Sequence, residues 1–160
     1  MELFENTPKF LVMSIPQARE QGIIDQWRAS MAANHECQAA LNTRLNLTNN
    51  PTEMQATLLW SAQTFGLERV IALLTISVQH LEYDGRIDAS HKEWAKQFDF
   101  TPLDGGNQNT CYLVLNAHAT RINYAMPYII NAQRNLDDFN QNHEYGAIFN
   151  TPEQEDDIER

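Results

Sequence analysis

The chain has 160 residues, of which 42% are hydrophobic, and 21 acidic residues against 11 basic ones give a formal net charge of −10. That apolar content, with three Trp, seven Phe and five Tyr, excludes global disorder and suits one domain that buries a sizeable core. The charge disfavours direct binding to nucleic acid, which needs clustered Lys and Arg.

No run reaches the roughly 18 apolar residues that a membrane span requires; the most apolar stretch, 70–81, is broken by Thr75, Ser77, Gln79 and His80. The start, Met1-Glu2-Leu3-Phe4-Glu5, is acidic where a secretory signal is basic, so a cytoplasmic protein is expected. Cys37 and Cys111 lie far apart and no CxxC occurs, so each reads as a small buried hydrophobe.

Phe4, Phe10, Leu11, Val12 and Met13 make residues 1–13 a docking arm. Ser14-Ile15-Pro16 is a helix start, with Pro16 in the first turn. Ile23, Trp27, Met31, Asn34, Gln38, Leu41 and Leu45 then recur at intervals of four and three, which predicts one long amphipathic helix. Gly22 weakens its first part by about 1 kcal/mol.

Asn49-Asn50-Pro51-Thr52-Glu53 signals a second start, with Asn50 as cap, and Met54, Leu58, Ala62 and Phe65 line one face of that helix. Gly66 stands where a left-handed cap residue is wanted. The next helix, carrying Val70, Leu73, Leu74, Val78 and Leu81, is the most apolar and is expected at the centre of the core. Tyr83-Asp84-Gly85-Arg86 is a turn. Asp88 or Ser90 caps a short helix that ends near Phe98 and turns Trp94 and Ala95 inward.

Residues 101–109, with Pro102, Gly105 and Gly106, form a loop, and the apolar run 111–115 fits a short strand or a helical turn equally. Residues 117–139 predict a helix interrupted or kinked near Pro127. Beyond Asn140 the chain is polar and acidic, so residues 141–160 are expected to be poorly ordered. The last eight residues contribute −4, leaving −6 for the rest. The fold class is thus all-α or mainly α: a single-domain bundle of about five helices over residues 1–140, with at most a minor β element near 111–115.

The sequence also carries an ordered set of pieces: Trp27-Arg28, Ser30, Ala33-Asn34, Cys37 and Ala40, then Leu67-Glu68-Arg69-Val70, Val78-Gln79, Asp84-Gly85-Arg86 and Lys92-Glu93-Trp94-Ala95. This set resembles an uncharacterised domain family of gut Firmicutes, common on conjugative and phage-like elements. The resemblance spans about residues 20–98, with a weaker echo at Asn116 and His118. It implies an accessory protein of a mobile element and carries no catalytic residue. Relatives more often have a serine-containing segment where this chain has Ile87-Asp88-Ala89-Ser90, and the second half, with Pro127, matches poorly.

Two groups of side chains are candidates for binding. His80, Asp84, Arg86, His91 and Lys92 surround the turn and could converge on an anion, or His80, Asp84 and His91 on a metal. The spacing matches no strong metal signature, and the plainer alternative is that Asp84 makes the turn while Arg86 pairs with a helix end. His118 and Arg121 share a helix face with Tyr124 and could meet a polar ligand. Trp27, Trp60 and Trp94 are read as core residues.

No GxSxG, P-loop, GxGxxG, HExxH or zinc-finger spacing occurs, and neither cofactor nor metal is expected. The leading expectation is a non-enzymatic acidic binding protein whose partner is a basic protein. Its sharpest form is an inhibitor of a host defence nuclease, of the anti-CRISPR or anti-restriction type. The alternative is a small-ligand-binding protein or hydrolase that uses the His80–Lys92 turn. A homodimer is compatible with either.

Overall fold

A computed structural model describes residues 13–48, 50–98 and 120–135. The described residues form six helices and no strand: α1 (Ile15–Glu20), α2 (Ile24–Leu47), α3 (Pro51–Phe65), α4 (Leu67–His80), α5 (Ala89–Ala95) and α6 (Thr120–Arg134). The fold is mainly α, as the periodicity predicts. Of the expected arm 1–13 only Met13 is described, and it is buried; residues 1–12, the loop 101–109, the run 111–115, His118 and the acidic tail lie outside the described residues.

Helix starts follow the cap chemistry. Ser14 Oγ accepts from the Gln17 N–H at 3.3 Å, and Gln17 Oε1 accepts from the Ser14 N–H at 2.9 Å, a reciprocal pair that satisfies two otherwise orphaned donors. Asn50 Oδ1 accepts from the Glu53 N–H at 2.9 Å, with Pro51 at the first helical position. Asp88 caps α5, its Oδ1 accepting from the Ser90 N–H at 2.9 Å.

The expected single helix from Pro16 to Leu45 is two helices. Gly22 takes φ +71°, the Ile23 N–H donates to Ala18 O at 2.9 Å, and the Gly22 N–H donates to Arg19 O at 3.1 Å. These paired bonds are a Schellman closure. Gly22 therefore ends α1 instead of weakening a continuous helix. The apolar repeat begins at Ile23 and lies wholly beyond the break, so it does not reveal it. At Gly66 a single residue with φ +94° and ψ 138° joins α3 to α4, a conformation that glycine adopts at little cost and residues with a β-carbon rarely do.

Helix α4 sits at the centre, against α2, α3, α5 and α6. Leu67 and every residue from Val70 to Val78 are buried. Its two central hydroxyls cost little, because Thr75 Oγ1 donates to Ile71 O and Ser77 Oγ to Leu73 O, each at 2.7 Å. The main core joins Leu41, Leu45, Met54, Leu58, Ile71 and Leu74 to Ile122, Met126 and Ile129 of α6. Helix α6 runs through Pro127 as one element, so the expected helix is not interrupted there.

A second cluster unites Met13, Ala18, Trp27, Met31, Ala72 and Ile76. Trp27 Nε1 donates to Met13 O at 2.8 Å inside it, which fixes where the chain enters α1. Cys37 is buried. Trp27 and Trp94 are core residues, but Trp60 is only half-buried, lying beneath the guanidinium of exposed Arg44 at 3.5 Å from its ring centre. No helix among the described residues is long and apolar enough to cross a membrane.

Leu74 is fully buried, whereas Leu47 is 72% exposed. Leu74→Ala should therefore lower the unfolding free energy by about 2–5 kcal/mol, and Leu47→Ala by less than about 0.5 kcal/mol, in urea titrations.

Candidate functional site

The turn between α4 and α5 gathers most of the polar side chains that the sequence singles out. Asp84 Oδ1 accepts from the Arg86 backbone N–H at 2.9 Å and from Arg86 Nε at 3.0 Å, and its Oδ2 accepts from Arg86 Nη2 at 2.8 Å. Lys92, one turn into α5, reaches back and donates Nζ to the Asp84 carbonyl at 2.8 Å. Arg86 meets the carboxylate of its own turn, and Lys92 meets the carbonyl of the same residue.

Asn123 of α6 completes the arrangement. Its Nδ2 donates to Arg86 O at 2.6 Å, its Oδ1 accepts from the Asp88 N–H at 2.8 Å, and the same oxygen lies 3.2 Å from His91 Nδ1. One amide thus holds the backbone on both sides of buried Ile87 and also meets buried His91. Nothing in the sequence marks Asn123: it is one asparagine inside a helical pattern, and its role depends on where α6 lies.

His80, the last residue of α4, is exposed, whereas His91 is buried against Asn123. Among the described residues no three His, Cys, Asp or Glu side chains are placed to share a metal ion. Arg121 is half-buried in the first turn of α6, and its expected neighbour His118 lies outside the described residues.

Two further polar contacts involve residues of the ordered set. Arg69, at the start of α4, donates Nη1 to Ser30 O at 2.8 Å, to Ser30 Oγ at 3.2 Å and to Asn34 Oδ1, and its Nε to Phe65 O at 3.2 Å. Ser30 and Asn34 are both buried. At the other end of α4, Gln79 Nε2 donates to Ala95 O at 2.9 Å and Phe98 O at 2.8 Å, closing the end of α5. Trp94 packs edge-on against Phe98 with ring centres 4.9 Å apart. Arg69 and Gln79 therefore pin the two ends of α4 to its neighbours.

Charge is unevenly divided. The described residues hold nine acidic and nine basic side chains and are neutral, so the whole net charge of −10 belongs to residues 1–12, 99–119 and 136–160. Residues 136–160 alone carry −7. The helices present no net acidic surface, although the sequence total distributes −6 ahead of the last eight residues.

The Arg86 side chain, and then its backbone N–H, lower the Asp84 carboxyl from 3.8 to about 2. Ser90 lowers Asp88 in the same way. A carboxylate with a depressed folded-state pKa stabilises the fold above its unfolded pKa and loses that contribution as pH falls through the folded value. Thermal unfolding of the wild type and Asp84→Asn should therefore differ at pH 6 and converge as pH drops from about 4 to 2. Asn123→Ala removes the amide that ties α6 to the turn and should cost about 1–2 kcal/mol in urea unfolding.

No curated protein and no solved structure matches the chain. One family model, described as "Protein of unknown function (DUF3849)", matches residues 12–138. The match takes in α1 to α6, including the Pro127 helix, and stops short of the acids from Glu144 onward. The chain belongs to that family of unknown function.

Proposed function

We propose that the chain is a non-enzymatic binding protein whose neutral helical body carries an acidic segment, residues 136–160, for a basic protein partner. The division of charge carries this reading. A domain that needed acid only for solubility would gain as much from acids scattered over its helices, yet acids and bases balance there and −7 is concentrated in the last 25 residues. The turn around Asp84 ranks lower as a ligand site, because Asp84, Arg86 and Lys92 are joined to one another.

In its sharpest form the partner is a nucleic-acid-binding nuclease of host defence, and the protein is an inhibitor encoded on a mobile element or phage. Concentrated carboxylates suit a basic nucleic-acid channel. The resemblance of the ordered set of residues to mobile-element proteins supports that genomic setting.

The test is a pull-down from host lysate with the tagged full chain, at low and high salt, beside a variant in which Glu153, Glu155, Asp156, Asp157 and Glu159 become Gln or Asn. A basic partner captured by the wild type at about 0.05 M salt should be lost at about 0.5 M, where screening is strong, and lost by the neutralised variant at either. Equal capture by both proteins overturns the proposal. A captured nuclease is then assayed for cleavage with and without the purified protein.

A further inference from the structure

Asn123 decides more than the position of α6. Its amide cannot be turned end for end, because the backbone meets it with one group of each kind. Nδ2 faces the Arg86 carbonyl, which can only accept, and Oδ1 faces the Asp88 N–H, which can only donate. Reversing the amide would set donor against donor at Asp88 and acceptor against acceptor at Arg86. The atom that lies 3.2 Å from His91 Nδ1 is therefore the amide oxygen.

That oxygen has two lone pairs and no proton, so it makes a hydrogen bond with the ring when Nδ1 carries the hydrogen. The Asp88 N–H and the His91 Nδ1–H then use both lone pairs. With a bare Nδ1, two acceptors would face each other beside a buried ring, each without its bond. The ring is held from its own side too: His91 stands in the first turn of α5, where its backbone N–H donates to Asp88 O at 3.1 Å.

A neutral imidazole has one protonated nitrogen and one with a lone pair, and the hydrogen bond made by the first selects the second. We propose that Asn123 fixes His91 as the Nδ1–H tautomer, so that Nε2 is its one electron-donating nitrogen. Nε2 meets no hydrogen-bond partner among the described residues. It is the atom through which this histidine would meet a donor group, a divalent transition metal or an electrophile. An imidazole whose other nitrogen donates to a fixed acceptor is already oriented for that role. The inference goes beyond the proposed function and is independent of residues 136–160.

The test is a long-range proton–nitrogen NMR correlation on the nitrogen-15-labelled full chain at about pH 9, well above the ordinary imidazole range. His91 is assigned by the loss of its signals in His91→Gln. The wild type should show His91 Nδ1 with the shift of a protonated ring nitrogen and Nε2 with that of a bare one. The reverse pattern overturns the proposal. In Asn123→Ala both nitrogens should move toward the averaged shifts that the ring gives in the urea-unfolded chain; an unchanged Nδ1–H pattern there overturns it, since the amide would not be what fixes the ring. Asn123→Asp keeps the accepting oxygen and should keep the Nδ1–H pattern, so it decides the matter even if the alanine variant does not fold. Loss of that pattern in a folded Asn123→Asp also overturns the proposal.

Discussion

The structure depends on burying one helix on all sides. From Val70 to Val78 helix α4 offers no solvent face, so four other helices must surround it. Burial of its Leu, Ile and Val side chains contributes on the order of 1.5–3 kcal/mol each, but this force has no direction and sets no register. Direction comes from the two ends. Arg69 fixes the start of α4 to Ser30 and Asn34 of α2, and Gln79 fixes its last turn to the carbonyls that close α5. Sliding α4 by one turn would break these contacts together and take the Arg69 donor away from the buried Asn34 side chain.

The turn after α4 extends the same logic to α6. A helix running in from a distant part of the sequence needs more than an apolar stripe to settle its position, and Asn123 supplies it by reading both the donor and the acceptor side of the turn backbone. Charged residues often mark chemistry when they gather in a turn. Here Asp84 and Arg86 form a neutral bidentate pair and Lys92 caps the carbonyl behind it, a device that stiffens the turn.

Ser30, Asn34, Arg69 and Gln79, with Asp84, Arg86 and Lys92 of the turn, hold the helices in register. The acids from Glu144 onward lie beyond the residues matched by the family.

Local rules make much of the fold legible in the amino-acid sequence. The Ser14, Asn50 and Asp88 caps, the positive φ at Gly66 and the inward faces of α2, α3 and α5 follow from hydrogen bonding and periodicity within a few residues of chain. Gly22 lies at the edge of that reach: a glycine just before an apolar repeat fits a weakened helix or a closed one, and the choice depends on packing Ala18 and Trp27 into one cluster. The sequence names most of the polar residues of the α4–α5 turn. It does not show that they bond to one another, nor that Asn123, 35 residues beyond Asp88, joins them. The even balance of charge on the helices is hidden for the same reason, because a sequence total says nothing of which residues fold together. Sequence by itself determined most helix starts and the buried faces, since these rest on near neighbours, but not the break at Gly22. Only the tertiary structure decided which polar groups meet, because that depends on how helices distant in the chain are brought side by side.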